Sequence, residues 1–145
     1  MPDTWDAVSA ELEARLGDLD DRELVIVGEA TQHPEKRGLL RRSPRPLPSR
    51  YTQVMRVGDE LSGECVGSTS FGGEWETTPG QHRQLLDLGW LDPDGLVAVG
   101  TDPGYPNYRV DLPLAEAGRL ARMCTGALAV LGLEPGDATI RDTPP

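Results

Sequence analysis

The chain has 145 residues, a formal charge of −10 and 37% hydrophobic residues. This length suits one domain with a single core, and the hydrophobic content is above that of a disordered chain. The negative charge argues against nucleic acid as the main partner, because such binding neutralises phosphates, and no apolar run approaches a membrane span.

The first predicted elements are a helix and a short strand. Residues 3–19 carry apolar side chains at steps of three or four, which predicts an amphipathic helix with its cap at Asp3 or Thr4. Residues 24–27 form a wholly apolar run that ends at Gly28, as expected of a buried strand.

The next segment, residues 29–49, has no helical or strand periodicity. Its four prolines exclude a helix interior and a central strand. Residues 28–50 hold six of the 14 basic residues and two acids, so their net charge is +4 while the rest of the chain is −14. A loop of this length is either mobile or functional.

A β-hairpin is predicted over residues 50–66, with its turn at Gly58 and Asp59. Leu61, Gly63 and Cys65 share one face of the second strand with Gly67. These mostly small residues leave room for a close neighbour. A packed helix is one interpretation and a ligand groove is the other.

A second helix is predicted to begin at a capping box and to end at a glycine. Thr78 and Gln81 supply the capping box, and proline occupies the first helical position. Gly89 is expected in the left-handed conformation, with Trp90 in contact with Leu85. Structural roles therefore account for this Leu-Gly-Trp element.

The C-terminal third is predicted to contain strands at residues 96–99 and 105–110 and a helix at 112–131. Residues 134–145 are assigned to a flexible tail, so the domain spans 1–133. The order α-β-β-β-α-β-α predicts an α+β fold, with an antiparallel sheet of about four to five strands and three helices.

The residues that catalysis requires are sparse. His33 and His82 lack partners at metal-ligand spacing, and the nucleophile and phosphate-binding motifs are absent. We therefore predict no enzyme activity, no metal and no cofactor. A small enzyme that uses Cys65 or His82 is the alternative, and Cys65→Ala or His82→Ala would then abolish a measurable turnover.

Compartment and source follow from three further observations. The N-terminus lacks the basic and apolar regions of a signal peptide, so we expect a cytoplasmic protein. Cys65 and Cys124 lack CxxC spacing, which favours buried, reduced thiols over a disulfide. Thirteen of the 14 basic residues are arginine, whose codons are GC-rich, which favours a high-GC bacterium.

Local sequence matches carry a family resemblance over about residues 50–131. They are Arg50-Tyr51-Thr52-Gln53, the Glu60–Gly67 strand, Gln84–Trp90 with Pro93, and Asn107. With the element order, they resemble the actinobacterial TY-Chap proteins, relatives of YbjN-like proteins and of type III secretion (Tir) chaperones. The resemblance implies a cytoplasmic, non-catalytic, peptide-binding homodimer that holds an extended segment of a client protein against its sheet.

The expected contact residues are few. Tyr51, Tyr105, Asn107 and Tyr108 are the candidate peptide-binding residues, and the acidic surface favours a basic or amphipathic client. The arginines of residues 29–49 are alternatively an autoinhibitory strap, whose deletion would strengthen client binding. The alternative function is an immunity or regulatory protein that binds one folded partner.

Overall fold

The computed structural model describes residues 3–29, 50–66, 77–92 and 107–143. They form three α-helices and five strands in the described part of the chain. In chain order these are α1 (Trp5–Gly17), β1 (Leu24–Glu29), β2 (Tyr51–Val57), β3 (Glu60–Cys65), α2 (Pro79–Leu88), β4 (Tyr108–Pro113), α3 (Ala117–Val130) and β5 (Ala138–Thr143). The predicted α+β fold is confirmed.

The sheet is antiparallel throughout, with strand order β4-β3-β2-β1-β5. Strand β1, which lies between β2 and β5, pairs Val25 with Val54 of β2 and Ile26 with Arg141 of β5. The β2–β3 hairpin turns at Gly58, which has a positive φ of 63°. The two N-terminal strands therefore lie inside the sheet, and the chain's last strand forms one edge.

All three helices cover the same face of the sheet, with α3 in the centre and α1 and α2 on either side. Gly63 of β3 lets α3 approach, because a Cβ there would lie 3.1 Å from Leu120 Cδ1 and 3.3 Å from Val110 Cγ1. The packed-helix interpretation of this small-residue strand is thus confirmed. The core between the layers includes Leu12, Leu61 and Trp90.

Both predicted ends of α2 are confirmed. The Thr78 side chain accepts a hydrogen bond from the Gln81 N–H, and the Gln81 side chain accepts one from the Thr78 N–H. Gly89 ends the helix with φ 112°. Trp90 is 2% exposed, donates from Nε1 to the Met123 carbonyl over 3.3 Å and so belongs to the core.

The C-terminal elements differ from their predicted bounds. Leu112 and Pro113 end β4 instead of beginning a helix, and a 3₁₀ turn, Leu114–Glu116, precedes α3. Leu112 pairs with Leu61, which holds it in the sheet. The strand predicted at 96–99 lies outside the described residues, as do the start of the strand predicted at 105–110, which includes Tyr105, and nearly all of the loop predicted at 29–49.

The segment assigned to a flexible tail contains β5. Residues 138–143 pair with β1 along its whole length, from Leu24↔Thr143 to Glu29↔Ala138. Ile140 and Ala138 pack partly buried against the core. Sheet pairing with a buried neighbour thus orders a segment that is mostly polar.

The two edges of the sheet are unequal. Leu91 forms a bridge with Arg109 on the outer side of β4, where its N–H donates to the Arg109 carbonyl over 2.8 Å. Pro113, at the other end of β4, has no N–H to offer. No described strand lies beyond β5.

Candidate peptide-binding surface

The sheet face opposite the helices, called the open face below, is the candidate binding surface. Strand alternation and register place on it every second residue of each strand. The central residues are Ile26, Gln53, Met55, Ser62 and Glu64. They are partly exposed, and no described helix packs against them. The face therefore mixes apolar, amide and carboxylate groups in contact with solvent.

Tyr51, Asn107 and Glu64 meet at one end of the open face. The Asn107 side-chain amide donates to Glu64 Oε1 over 3.1 Å and, more weakly, to the Tyr51 hydroxyl over 3.5 Å. These residues come from β2, from β3 and from the position before β4. Two of the four predicted site residues, Tyr51 and Asn107, are thus brought together.

Gly28 fixes the position of Tyr51. The two residues face each other across β1 and β2, and a Cβ on Gly28 would lie 2.7 Å from the Tyr51 Cα. Because such a contact forces a displacement, only glycine allows the two strands to approach this closely. Tyr51 is therefore held against the backbone of Gly28, which carries no side chain.

Tyr108 has a different place. Its side chain points towards the helices and is 1% exposed, and its hydroxyl lies 2.7 Å from His82 Nδ1. His82 Nε2 in turn lies 3.5 Å from Asp92 Oδ2. Burial raises the pKa of Tyr108. This residue joins β4 to α2 through the core and presents no side-chain surface to a ligand.

Glu64 is the member of the cluster that sequence reasoning missed. The alternation of β3 already assigned it to the face opposite Gly63, yet nothing in the chain marked it as a neighbour of Asn107, 43 positions away. Its partners in the register are Gln53 on β2 and Arg109 on β4. A polar residue at such a position signals an exposed sheet face, which is the one clue the sequence offered.

The described residues provide little for covalent or metal chemistry. Cys65 and Cys124 are free and buried, and burial raises both pKa values, that of Cys124 to about 12. Such thiols stay protonated and are poor nucleophiles. Within the described ranges, no group of three His, Cys, Asp or Glu is placed to hold a metal ion. No helix there has the length and apolarity to cross a membrane.

Comparison with known proteins gives one match. Residues 1–135 match a protein family described as "TY-Chap3: T3SS (YopN, CesT) and YbjN peptide-binding chaperone 3". Comparison with curated proteins finds no match, and comparison with solved structures finds none either. The match covers α1 to α3 and four of the five described strands, and it ends before β5. The chain belongs to the TY-Chap3 family of peptide-binding chaperones.

Proposed function

We propose that this protein is a cytoplasmic, non-catalytic chaperone that holds an extended segment of a client protein against its open face. The observation that supports the proposal is that all three described helices pack on one side of the sheet, so that among the described residues the opposite face is a five-stranded surface with Tyr51, Asn107 and Glu64 grouped at one end. Family membership supports a peptide as the ligand.

The chemistry of the open face suits an extended chain. Gln53 and Ser62 offer hydrogen-bond donors and acceptors, while Ile26 and Met55 offer apolar contact in the centre. Tyr51 adds a large ring with a polar tip, the kind of group that dominates binding energy at interfaces. A client segment that lies on the open face replaces its contacts with water by hydrogen bonds and apolar contacts.

The net charge of −10 favours a basic or amphipathic client. Charge complementarity mainly speeds encounter and selects partners, so it does not replace the contacts on the face. Salt is expected to slow association more than it speeds dissociation.

The test is site-specific crosslinking from the open face. A photoreactive residue replaces Gln53 on the face in one variant, and Arg83 on the exposed side of α2 in the control variant. Clients from a native-host extract are identified by mass spectrometry, and the crosslinked segments are synthesised as peptides. We expect crosslinks at Gln53 and not at Arg83. Equal crosslinking at both positions overturns the proposal.

The identified peptide then permits a quantitative test. Tyr51→Ala is expected to weaken its binding about tenfold, since buried tyrosines at interfaces contribute more than 1 kcal/mol. Asn107→Ala tests the amide in the same way. Unchanged affinity in both variants overturns the role of the cluster. If only the intact, folded partner binds, the immunity or regulatory alternative replaces the chaperone proposal.

A homodimer is the assembly that we propose from the family resemblance. Sedimentation equilibrium measures it directly, across a range of protein concentrations. A monomer at all concentrations contradicts this part of the proposal and leaves the client-binding part standing.

A further inference from the structure

The outer edge of β5 offers unpaired backbone groups in a regular row. In β1 the Glu29 N–H donates to the Arg50 carbonyl over 3.0 Å, so the odd-numbered residues of β1 bond to β2. The even-numbered residues then bond to β5, where Ile26 faces Arg141 and Gly28 faces Thr139. The N–H and C=O groups of Ile140 and Asp142 and the C=O group of Ala138 consequently point away from the sheet, while the Ala138 N–H already donates to the Pro135 carbonyl.

A cleft of about 210 Å³ lies at the end of this edge. Its lining comes from the C-terminal end of α1, the start of β1 and the end of β5: Arg15, Asp18, Leu19, Glu23, Leu24 and Asp142. Three carboxylates outnumber the single guanidinium. Arg15 is already shared by Asp142, at 3.1 Å, and Glu11, at 3.6 Å. The C-terminal end of the α1 dipole adds partial negative charge, so the cleft favours a cation.

A second copy of the chain fits this edge poorly. Antiparallel self-pairing about Ile140 would set Asp142 opposite Ala138 of the other copy. The preceding Glu134 and Asp137 of that copy would then approach the carboxylates of the cleft. Like charges in such proximity oppose association, and each copy carries a net charge of −10. The negative charge of the cleft therefore favours a basic strand over a second copy of the chain.

We propose that the outer edge of β5 takes up a basic, extended segment of the client as an added strand, with a Lys or Arg side chain of that segment in the cleft. The inference rests on the proposed function and adds a second contact surface to it. The family match ends at residue 135, before β5, so membership itself does not cover this edge.

Backbone pairing is tested with a variant that removes one N–H. Ile140→Pro deletes an outward donor and leaves the bonds of Thr139 and Arg141 to β1 in place. Ile140→Val is the matched control, since it keeps the N–H. The probes are peptides as long as β5, built of alternating Thr and Val with one terminal Lys. Binding is followed by NMR titration and by exchange of the Ile140 amide.

The wild-type protein and the Val variant are expected to bind the peptide, which protects the amide of residue 140 in each. The Pro variant is expected to bind about tenfold more weakly. A peptide N-methylated at alternate residues repeats the test on the wild-type protein, so the result does not depend on the folding of the Pro variant. Absence of protection at Ile140, or equal binding of the methylated peptide, overturns the proposal.

The charge preference is tested by neutralising the cleft. Asp18→Asn combined with Glu23→Gln is expected to weaken binding of the Lys peptide about fivefold at low salt, and to leave a peptide with Thr in place of Lys unaffected. Asp6→Asn combined with Asp87→Asn, at two exposed positions that do not line the cleft, is the control for net charge. An equal effect of this control contradicts a role for the cleft.

Client binding by Tyr51→Ala and by Ile140→Pro separates this inference from the proposed function. If Tyr51→Ala weakens client binding while Ile140→Pro does not, the open face holds the client and the edge does not. If neither variant affects client binding, both proposals fail.

Discussion

The guanidinium of Arg50 forms a two-point ion pair with the carboxylate of Glu29, at the two ends of the segment between β1 and β2. Nη2 donates to Oε1 over 2.9 Å and Nε donates to Oε2 over 3.1 Å, while the Arg50 backbone N–H donates to Oε2 over 2.6 Å. Nη1 also donates to the Leu131 carbonyl over 3.2 Å. One side chain thus ties both strand ends to the end of α3.

Loss of this ion pair is expected to lower stability. The side-chain hydrogen bonds from Arg50 lower the pKa of Glu29 below its ordinary value of 4.5. Both groups are partly exposed to water, which screens the attraction, so we expect Glu29→Gln to cost about 1 kcal/mol at neutral pH. Urea denaturation measures the change.

The pH dependence provides a second check on Glu29. Its pKa is lower in the folded chain, so its contribution is complete above the unfolded value of 4.5 and disappears as pH falls through the folded value. The stability difference between wild type and Glu29→Gln should therefore shrink in acid. Asp142→Asn is the control, because its pair with Arg15 is exposed and should contribute less than about 0.5 kcal/mol. A constant difference down to low pH contradicts the assignment.

Gly63→Ala is expected to destabilise the fold by about 1 to 3 kcal/mol, the usual cost of overpacking. The new methyl would press on Leu120 and Val110, at 3.1 and 3.3 Å from their nearest atoms. Gly17→Ala, at the end of α1, places a methyl in open space and should be neutral or stabilising. Thermal unfolding measures the melting temperatures of the two variants. Equal melting temperatures would contradict the close packing of α3 on β3.

Cys65 and Cys124 are expected to resist thiol reagents in the native protein. Both side chains are fully buried, and burial raises the pKa of each thiol. Reaction with a chromogenic disulfide at mildly alkaline pH should be slow in buffer and rapid in denaturant. Fast labelling of the folded protein would instead identify an accessible, reactive cysteine.

Tyr108→Phe is expected to lower stability by about 1 kcal/mol and to leave client affinity unchanged. The substitution removes the hydroxyl that lies 2.7 Å from His82 Nδ1 and keeps the buried ring. Chemical denaturation and peptide titration are measured on the same samples. Weaker client binding by a variant that is still fully folded would restore Tyr108 as a binding residue.

Local chemistry made much of the architecture predictable. The glycine turn at Gly58, the capping box at Thr78 and the left-handed Gly89 each act within a few residues. The small residues of β3 indicated either a packed helix or a ligand groove, and the structure places a helix there. These signals need no knowledge of the remote parts of the chain.

The features of the fold and of the site that could not be predicted depend on contacts between residues that are distant in the sequence. The segment Ala138–Thr143 has one large apolar residue, Ile140, so only its pairing with β1 defines it as a strand. Tyr51 and Asn107 were predicted by type and position, but Glu64 joins them through the register of three strands. Tyr108 was chosen for its aromatic ring, while strand alternation decides which face that ring occupies.

The unequal edges also limit how far the sheet can grow. Propagation into a fibre requires two receptive edges on every subunit, because each added strand must in turn accept the next. On β4, the bridge from Leu91 and the missing N–H of Pro113 leave Asp111 alone between them. The described part of β4 therefore offers little backbone for a further strand, so an addition at β5 is not expected to propagate into a fibre.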